Sequence, residues 1–485
     1  MKIRISALSL LLFCSIGSLY CQPQPLTKQQ MLYDLDSLES AVYHYHYNLP
    51  LLEQRTGTSV KTVFNELKNL ITSETSMFDF VDLVWQGLNA LNDGHTGVTN
   101  KSSLKWFINN SYLSKSGNAI LSDTLYADYY QKLVPDSVYS MSKSGLRAKY
   151  IDGKYYNARS FTYEDREIEF GKEITTIDGE DIHDFVNENY TKILHLMWDT
   201  NHNRWYSDFF MLTLPYINKK QFTLNIAGED ILIDSDILLE NLRKEQYQTT
   251  STPKIYVLND ILYIYMPVMM SWQWYVQEIK RHYNSNIKKI VFDLRGNSGG
   301  DDSVWASILK HLIATPFFYQ YNVGANYNKT LQESIFRFGE VDIDGYTMTV
   351  SNKRIIEPDS SSVNFTGKFY ILQDKYTYSA AAAFVSAALQ NTDKIVVVGE
   401  RSALISGYTF PPLIFSLPNS RIAFRLGFSA DLTGGKSNPY MDIVNIEVVE
   451  NPAGYFDKLY KYDCHSKEYL DEVDSLISYI KNDTL

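Results

Sequence analysis

From Lys254 to Val398, short strand-like runs alternate with stretches of helical length. Lys254–Met266, Lys289–Leu294, Lys368–Leu372 and Ile395–Val398 are rich in β-branched and aromatic residues. Trp272–His282, Val304–Ala314 and Ser379–Gln390 carry the helical pattern. Alternation of this kind predicts a layered α/β domain. The chain has 485 residues, 45% hydrophobic and 21% charged, enough for two to four domains at roughly 150 residues each. Its formal charge of −11 comes without any block of basic residues, which argues against an electrostatic grip on nucleic acid. A peptide, or a small uncharged or cationic ligand, suits this balance better.

The only long apolar run lies at the N-terminus, which excludes a multi-span membrane protein. Lys2 and Arg4, the apolar run Ala7 to Ile16, and Gly17-Ser18 together read as a secretory signal over residues 1–21. Without it the charge of −11 loses the two positive charges of Lys2 and Arg4 and becomes −13. Export to the periplasm or the extracellular space is the expectation. Two mature ends compete: ordinary cleavage near Cys21–Gln22, or a lipidated Cys21 that attaches the protein to a membrane. Only Cys14, Cys21 and Cys464 occur, so neither a disulfide framework nor a thiolate metal cluster is available, and no cofactor is expected.

The remaining chain divides by pattern. Residues 22–100 form a helical region, with Leu32, Leu35, Leu38 and Val42 on one stripe and Phe64, Leu67, Leu70 and Ile71 on another. Residues 101–160 read as irregular mixed strands. Residues 161–235 form a β-rich module with a helical stretch over Ile182–Leu196, residues 250–450 the α/β core, and residues 451–485 a helical tail.

Three short segments carry chemistry. Val291–Asp301 holds a buried strand running into the glycine-rich turn Gly296-Asn297-Ser298-Gly299-Gly300, whose exposed N–H groups suit a phosphate or a developing oxyanion. No Lys-Ser/Thr pair and no G-x-G-x-x-G follows, so the phosphate reading is weak; a plain strand-to-helix turn is the structural alternative. Asp374–Phe384 places Ser379 at the head of an alanine-rich helix, either as a cap or as a nucleophile beside free N–H groups. Asn92–Val98 puts His95 in a turn, where it is either a structural loop residue or a base for Ser379.

Taken together these segments resemble the C-terminal processing, or tail-specific, protease family of serine peptidases, in particular its tricorn-like branch. Asp93-Gly94-His95-Thr96 is similar to the family's histidine turn, and Asp293–Gly300 matches its DLRGN-x-GG pattern. Thr377-Tyr378-Ser379-Ala380 resembles its T-x-S-A nucleophile motif, and Val398-Gly399-Glu400 the strand end that follows. Phe170–Ile182 resembles the G-x-x-I-x-x-I-[DN]-G run of a PDZ domain.

The resemblance implies a ClpP/crotonase-like layered α/β core with an N-terminal helical region and a PDZ-like module, α/β in class and α+β multidomain in organisation. It implies a secreted or periplasmic serine endopeptidase that acts on peptides or proteins. Ser379 is then the nucleophile, and the backbone N–H of Gly299 or Gly300 with that of Ala380 forms the oxyanion hole. One branch of the family uses a lysine in a G-K-G segment after the serine. Glu400–Gly407 contains no lysine, and Lys394 precedes it; the tricorn-like branch instead uses the histidine of its D-G-H-T turn, so the resemblance implies His95 as the base. The acid that orients this histidine in the tricorn-like branch has no counterpart in Thr433–Asp442; Asp431 and Asp442 are the candidates, and the third member is unassigned. That gap leaves a competing reading, a catalytically degenerate relative that binds a peptide or a small apolar ligand. An esterase of another family is a poor reading, since no G-x-S-x-G elbow is present.

Overall fold

The apolar stripes of the N-terminal region fold as four helices in the computed structural model, which describes residues 25–99, 146–193, 195–208, 211, 221–234, 252–403, 410–434, 444–448, 456 and 464–483. The proposed signal, Cys21 and most of the 101–160 segment lie outside the described residues. Helix α1 (Lys28–Tyr45) starts at a capping box formed by Thr27 and Gln30 and buries Met31, Leu35, Leu38 and Val42. Helix α2 (Leu49–Thr56) stops at Gly57, whose φ of 67° suits a residue without a Cβ. Helix α3 (Val60–Asn69) buries Phe64 and Leu67, but Leu70 departs from the predicted stripe and is 57% exposed. The helix has ended there, and Ile71 turns inward in its place. Helix α4 (Met77–Asn89) is capped by Ser76 and Asp79 and runs into the histidine turn and strand β1 (Gly97–Val98).

The β-rich region centres on a six-stranded antiparallel sheet in which β2 (Ala148–Ile151), β3 (Lys154–Asn157), β4 (Glu173–Ile177), β5 (Gln221–Ile226) and β6 (Glu229–Asp234) run in the order β6-β5-β4-β3-β2 and Glu180–Asp181 pairs with β4; Phe161–Tyr163 with Arg166–Ile168 and Met197–Asp199 with Arg204–Tyr206 form two further two-stranded sheets. Strands β2 and β3 thus come from the stretch read as irregular. Helix α5 (Ile182–Glu188), capped by Asp181, is shorter than the amphipathic pattern implied, because the chain leaves helical geometry at Asn189 and makes a 3₁₀ turn over Tyr190–Lys192.

The α/β core is built on a six-stranded sheet. Lys254–Met266 is a hairpin and not one strand: β7 (Lys254–Leu258) and β8 (Ile261–Tyr265) pair antiparallel around Asn259, which takes a left-handed φ of 56°. Crossovers through α6 (Trp272–His282) and then α7 (Ser303–Lys310) follow, with β9 (Lys289–Asp293) parallel to β8. Between α7 and the next core strand the chain makes a second antiparallel sheet from β10 (Phe317–Asn326), β11 (Glu340–Asp344) and β12 (Thr347–Ile356), which the helix–strand pattern had not suggested. The core resumes with β13 (Lys368–Gln373), α8 (Ala380–Leu389) and β14 (Ile395–Gly399), giving parallel neighbours β8-β9-β13-β14.

Alternate side chains face two layers. Leu262, Ile264, Ile290, Phe292 and Ile371 pack with the helices α6 to α8, while Tyr263, Val291, Tyr370 and Leu372 pack beneath the C-terminal helices α9 (Lys467–Glu472) and α10 (Ser475–Asn482). Strands β15 (Leu413–Ser416) and β16 (Ala423–Leu426) form a hairpin whose Phe424 and Leu426 join the hydrophobic core of the N-terminal helices. β1 pairs with β16, Gly97 opposite Arg425 and Val98 opposite Phe424, which ties the histidine turn to the half of the chain that carries the α/β core. Strand β17 (Ser429–Asp431) then closes the second sheet against β10. The architecture is mixed α/β and multidomain, the class that the sequence and its resemblance imply. Among the described residues no helix is long and apolar enough to cross a membrane.

Candidate active site

Adjacent parallel strands β9 and β13 end at the same edge of the core sheet, with Asp293 opposite Leu372. The turns that leave them therefore emerge side by side, as ligand-binding turns do at the carboxyl edge of open α/β sheets. Side chains at the strand ends knit these turns together. Gly296 N–H donates to Asp374 Oδ1 at 3.0 Å, Thr377 Oγ1 donates to the Leu294 carbonyl at 3.0 Å, and Tyr378 N–H donates to the Asn297 carbonyl at 3.0 Å. Asn297 is fully buried; its amide donates to the Met266 carbonyl at 2.7 Å. Below them Arg295 grips Asp293 with two bonds of 2.9 and 2.6 Å and reaches Asp474 at 2.8 Å, so the tail helices are anchored to the glycine turn. That guanidinium, with the Tyr263 hydroxyl, holds the Asp293 carboxyl below its usual range against the opposing effect of burial.

Ser379 occupies the corner between β13 and α8 with φ 55° and ψ −123°, a sparsely populated conformation for a residue with a side chain. It sits at the N-cap, yet its hydroxyl makes no capping bond. The hydroxyl instead lies 3.2 Å from His95 Nε2, across 284 residues of sequence. The capping alternative is therefore excluded by geometry.

Gly299 packs against this corner: a Cβ built on it would stand 2.6 Å from Ser379 Cβ and 3.0 Å from the Ala380 nitrogen, at a φ of +113°. Glycine is required for the two turns to approach. The amide of Gly299 is already used, donating to Asn297 Oδ1 at 2.8 Å. The N–H groups of Gly300 and Ala380 have no acceptor among the described residues. Gly300 is fixed by the bridge to Met269, where Met269 N–H donates to the Gly299 carbonyl at 2.9 Å and Asp301 N–H to the Met269 carbonyl at 3.0 Å.

His95 is held by its own turn. Asp93 Oδ1 accepts the His95 backbone N–H at 2.9 Å, and Thr96 N–H donates to the Asp93 carbonyl at 2.9 Å. The turn is closed without the imidazole. Its Nδ1 stands 3.0 Å from the Tyr378 hydroxyl, which in turn lies 2.9 Å from Asp93 Oδ1. Burial lowers the His95 pKa below 6.5, Asp93 opposes that shift, and Arg425 adds to it.

Of the two candidates for the orienting acid, Asp431 does not meet this histidine. Asp431 lies in β17 opposite Val323, and its carboxylate is taken by Thr433 N–H at 2.9 Å and by the Thr433 hydroxyl; Asp442 lies outside the described residues. Lys394 points elsewhere, donating to the Pro316 carbonyl at 3.1 Å. In the linear pattern Asp93 is only one member of the D-G-H-T motif, and Tyr378 stands at the variable position of T-x-S-A. Nothing in the linear pattern gave either a role.

Residues 260–423 match the model of peptidase family S41. Among solved structures the chain is similar to mature CPAF, with 14% identity over 90% of this chain and 97% of that one at a TM-score of 0.54. It is also similar to mature CPAF complexed with lactacystin, with 14% identity over 94% and 99% at a TM-score of 0.56. At that identity the likeness is one of fold. No curated protein sequence matches the chain.

Proposed function

This chain belongs to the serine-type peptidases of family S41 through its core at residues 260–423, and from that premise we propose an exported endopeptidase of the tail-specific type that works through an acyl-enzyme on Ser379. The observation that supports it most is the 3.2 Å separation of Ser379 Oγ and His95 Nε2 beside two uncommitted backbone donors. In this reading His95 takes the Ser379 proton as Oγ attacks the peptide carbonyl carbon. The carbonyl oxygen, now negative, accepts from the N–H groups of Gly300 and Ala380, aided by the positive end of α8. The C–N bond breaks as the imidazolium returns its proton to the leaving amine. A water then gives a proton to His95 as it attacks the ester carbonyl, and His95 returns that proton to Ser379 Oγ as the C–O bond breaks, freeing the carboxylic acid. Substrates are peptides or proteins.

Lys2, Arg4 and the apolar run to Ile16 support export, with membrane attachment only through a lipidated Cys21. The turn at Gly171 leading into Ile174 and Ile177 supports a PDZ-like module over residues 161–235 that takes an extended peptide by its C-terminal end.

Labelling with a fluorophosphonate probe and cleavage of a peptide panel test the assignment. Wild-type protein should label and cleave, and Ser379→Ala should lose labelling and on the order of a thousandfold or more in turnover. Cleavage that persists in Ser379→Ala overturns it. Tight peptide binding with neither labelling nor cleavage favours the degenerate binding protein.

A further inference from the structure

Tyr378 immediately precedes the nucleophile, and its ring lies against the histidine turn, with centroids of the Tyr378 and His95 rings 4.9 Å apart. Room for it comes from the motif glycine: a Cβ on Gly94 would stand 2.7 Å from Tyr378 Cε1. The side chain is buried at 4% exposure, and its hydroxyl lies between Asp93 Oδ1, at 2.9 Å, and His95 Nδ1, at 3.0 Å. The direct distance from Asp93 Oδ1 to His95 Nδ1 is 3.7 Å, too long for a hydrogen bond. We propose that Tyr378 is a positioning residue that transmits the orienting effect of Asp93 to His95, so that the site is a serine–histidine–tyrosine–aspartate line. The proposal rests on His95 being the base for Ser379.

An ionised carboxylate only accepts, and the phenol has one proton, so the Tyr378 hydroxyl donates to Asp93. A phenol lone pair then faces His95 Nδ1, and this nitrogen must carry the ring proton. The Nε2 lone pair is left facing Ser379 Oγ at 3.2 Å, the tautomer a base requires. The reverse arrangement, with the phenol donating to Nδ1, would protonate Nε2 and disarm it.

Asp93 is itself fixed. Oδ1 also accepts the His95 N–H, Oδ2 accepts the Thr96 hydroxyl at 3.2 Å, and His46 Nδ1 lies 3.7 Å from Oδ2 while facing the Gly427 carbonyl at 2.7 Å. The charged group on the other side of the turn is Arg425 of β16, which donates to the Gly94 carbonyl at 3.2 Å. After proton transfer the imidazolium keeps its Nδ1–H bond to the phenol, with Asp93 behind it.

Imidazole-¹⁵N NMR of full-length protein, with His95 assigned by its loss in His95→Gln, reads the tautomer without substrate. Wild-type His95 should carry its proton on Nδ1. In Tyr378→Phe the signal should move toward the Nε2–H form or a mixture. On a cleavable peptide, kcat should fall on the order of tenfold or more with KM little changed, and the acid limb of kcat/KM should move to lower pH, because the imidazolium has lost its acceptor while burial and Arg425 remain. Gly94→Ala, which displaces the ring, should act in the same direction. A wild-type His95 protonated on Nε2, or an unchanged tautomer and kcat in Tyr378→Phe, overturns the proposal. If Tyr378→Phe does not fold, the wild-type tautomer alone decides. Failure of the nucleophile assignment has a separate mark, activity retained in Ser379→Ala.

Discussion

Lys375, four residues before Ser379, places its ammonium 3.2 Å from the carboxylate of Asp208, which belongs to the region of the β-rich sheet. Both side chains are buried, at 8% and 6% exposure. Asp208 further receives Lys149 Nζ at 2.7 Å, the Tyr150 backbone N–H at 2.7 Å and the Tyr376 hydroxyl, and Lys375 also donates to the Tyr150 carbonyl at 3.0 Å. The turn that presents Ser379 is thus bolted to β2 from behind. Burial alone would raise the Asp208 pKa, but Lys149 and Lys375 overcome it and hold the carboxyl well below its usual range.

Removing one partner of such a cluster leaves an uncompensated buried charge, at a cost of about 3–5 kcal/mol. Asp208→Ala should destabilise the protein by that order in denaturant titration and reduce Ser379 labelling as the turn loosens. The linkage has a definite sign: the depressed Asp208 pKa stabilises the fold above the unfolded value of about 3.9, and this contribution is lost as pH falls below it. Asp208→Asn should therefore weaken the dependence of stability on pH at the acid end.

Gly299→Ala should abolish most activity. The added methyl would lie 2.6 Å from Ser379 Cβ, at a φ that L-residues rarely adopt, and either Ser379 or the glycine turn must move. A stability loss of about 1–3 kcal/mol is expected from the backbone strain. Displacement of Ser379 should cost on the order of a hundredfold in kcat/KM. Steady-state kinetics beside thermal melting separates the two, and an Ala variant with wild-type kinetics would remove the close approach of these turns from the mechanism.

The pH profile should report His95. Burial puts its pKa below 6.5, so kcat/KM should rise with pH through a midpoint lower than that of a free imidazole. Since the folded state binds this proton less readily than the unfolded chain, His95 costs no stability above about pH 6.5 and destabilises the fold progressively below it. Arg425 contributes to the depression, so Arg425→Gln should move the acid limb to higher pH. Movement to lower pH would contradict the assigned sign.

Local chemistry was legible in the sequence because it is written in contiguous residues. The glycine turn after β9, the serine at the head of α8 and the histidine turn after α4 each follow from strand, turn and helix preferences within about a dozen positions. The strand–helix alternation fixed the layered core in the same way, since side-chain periodicity reflects which faces are buried. Where the pattern misled, a local backbone event decided: the left-handed Asn259 splits Lys254–Met266 into a hairpin, and the end of α3 turns Leu70 outward.

What the linear pattern could not contain is the set of partnerships made across the chain. His95 meets Ser379 because β1 is zipped to β16 and the apolar faces of α4 and β16 share one core, a consequence of burial summed over many residues. Tyr378 becomes the partner of Asp93 only because Gly94 leaves space for its ring, and Gly299 is withdrawn as an amide donor only because Asn297 folds back onto it. Residue types and spacings determine which groups are available for chemistry. Hydrogen-bond geometry depends on separations of tenths of an ångström between distant segments, and those are set by tertiary packing alone.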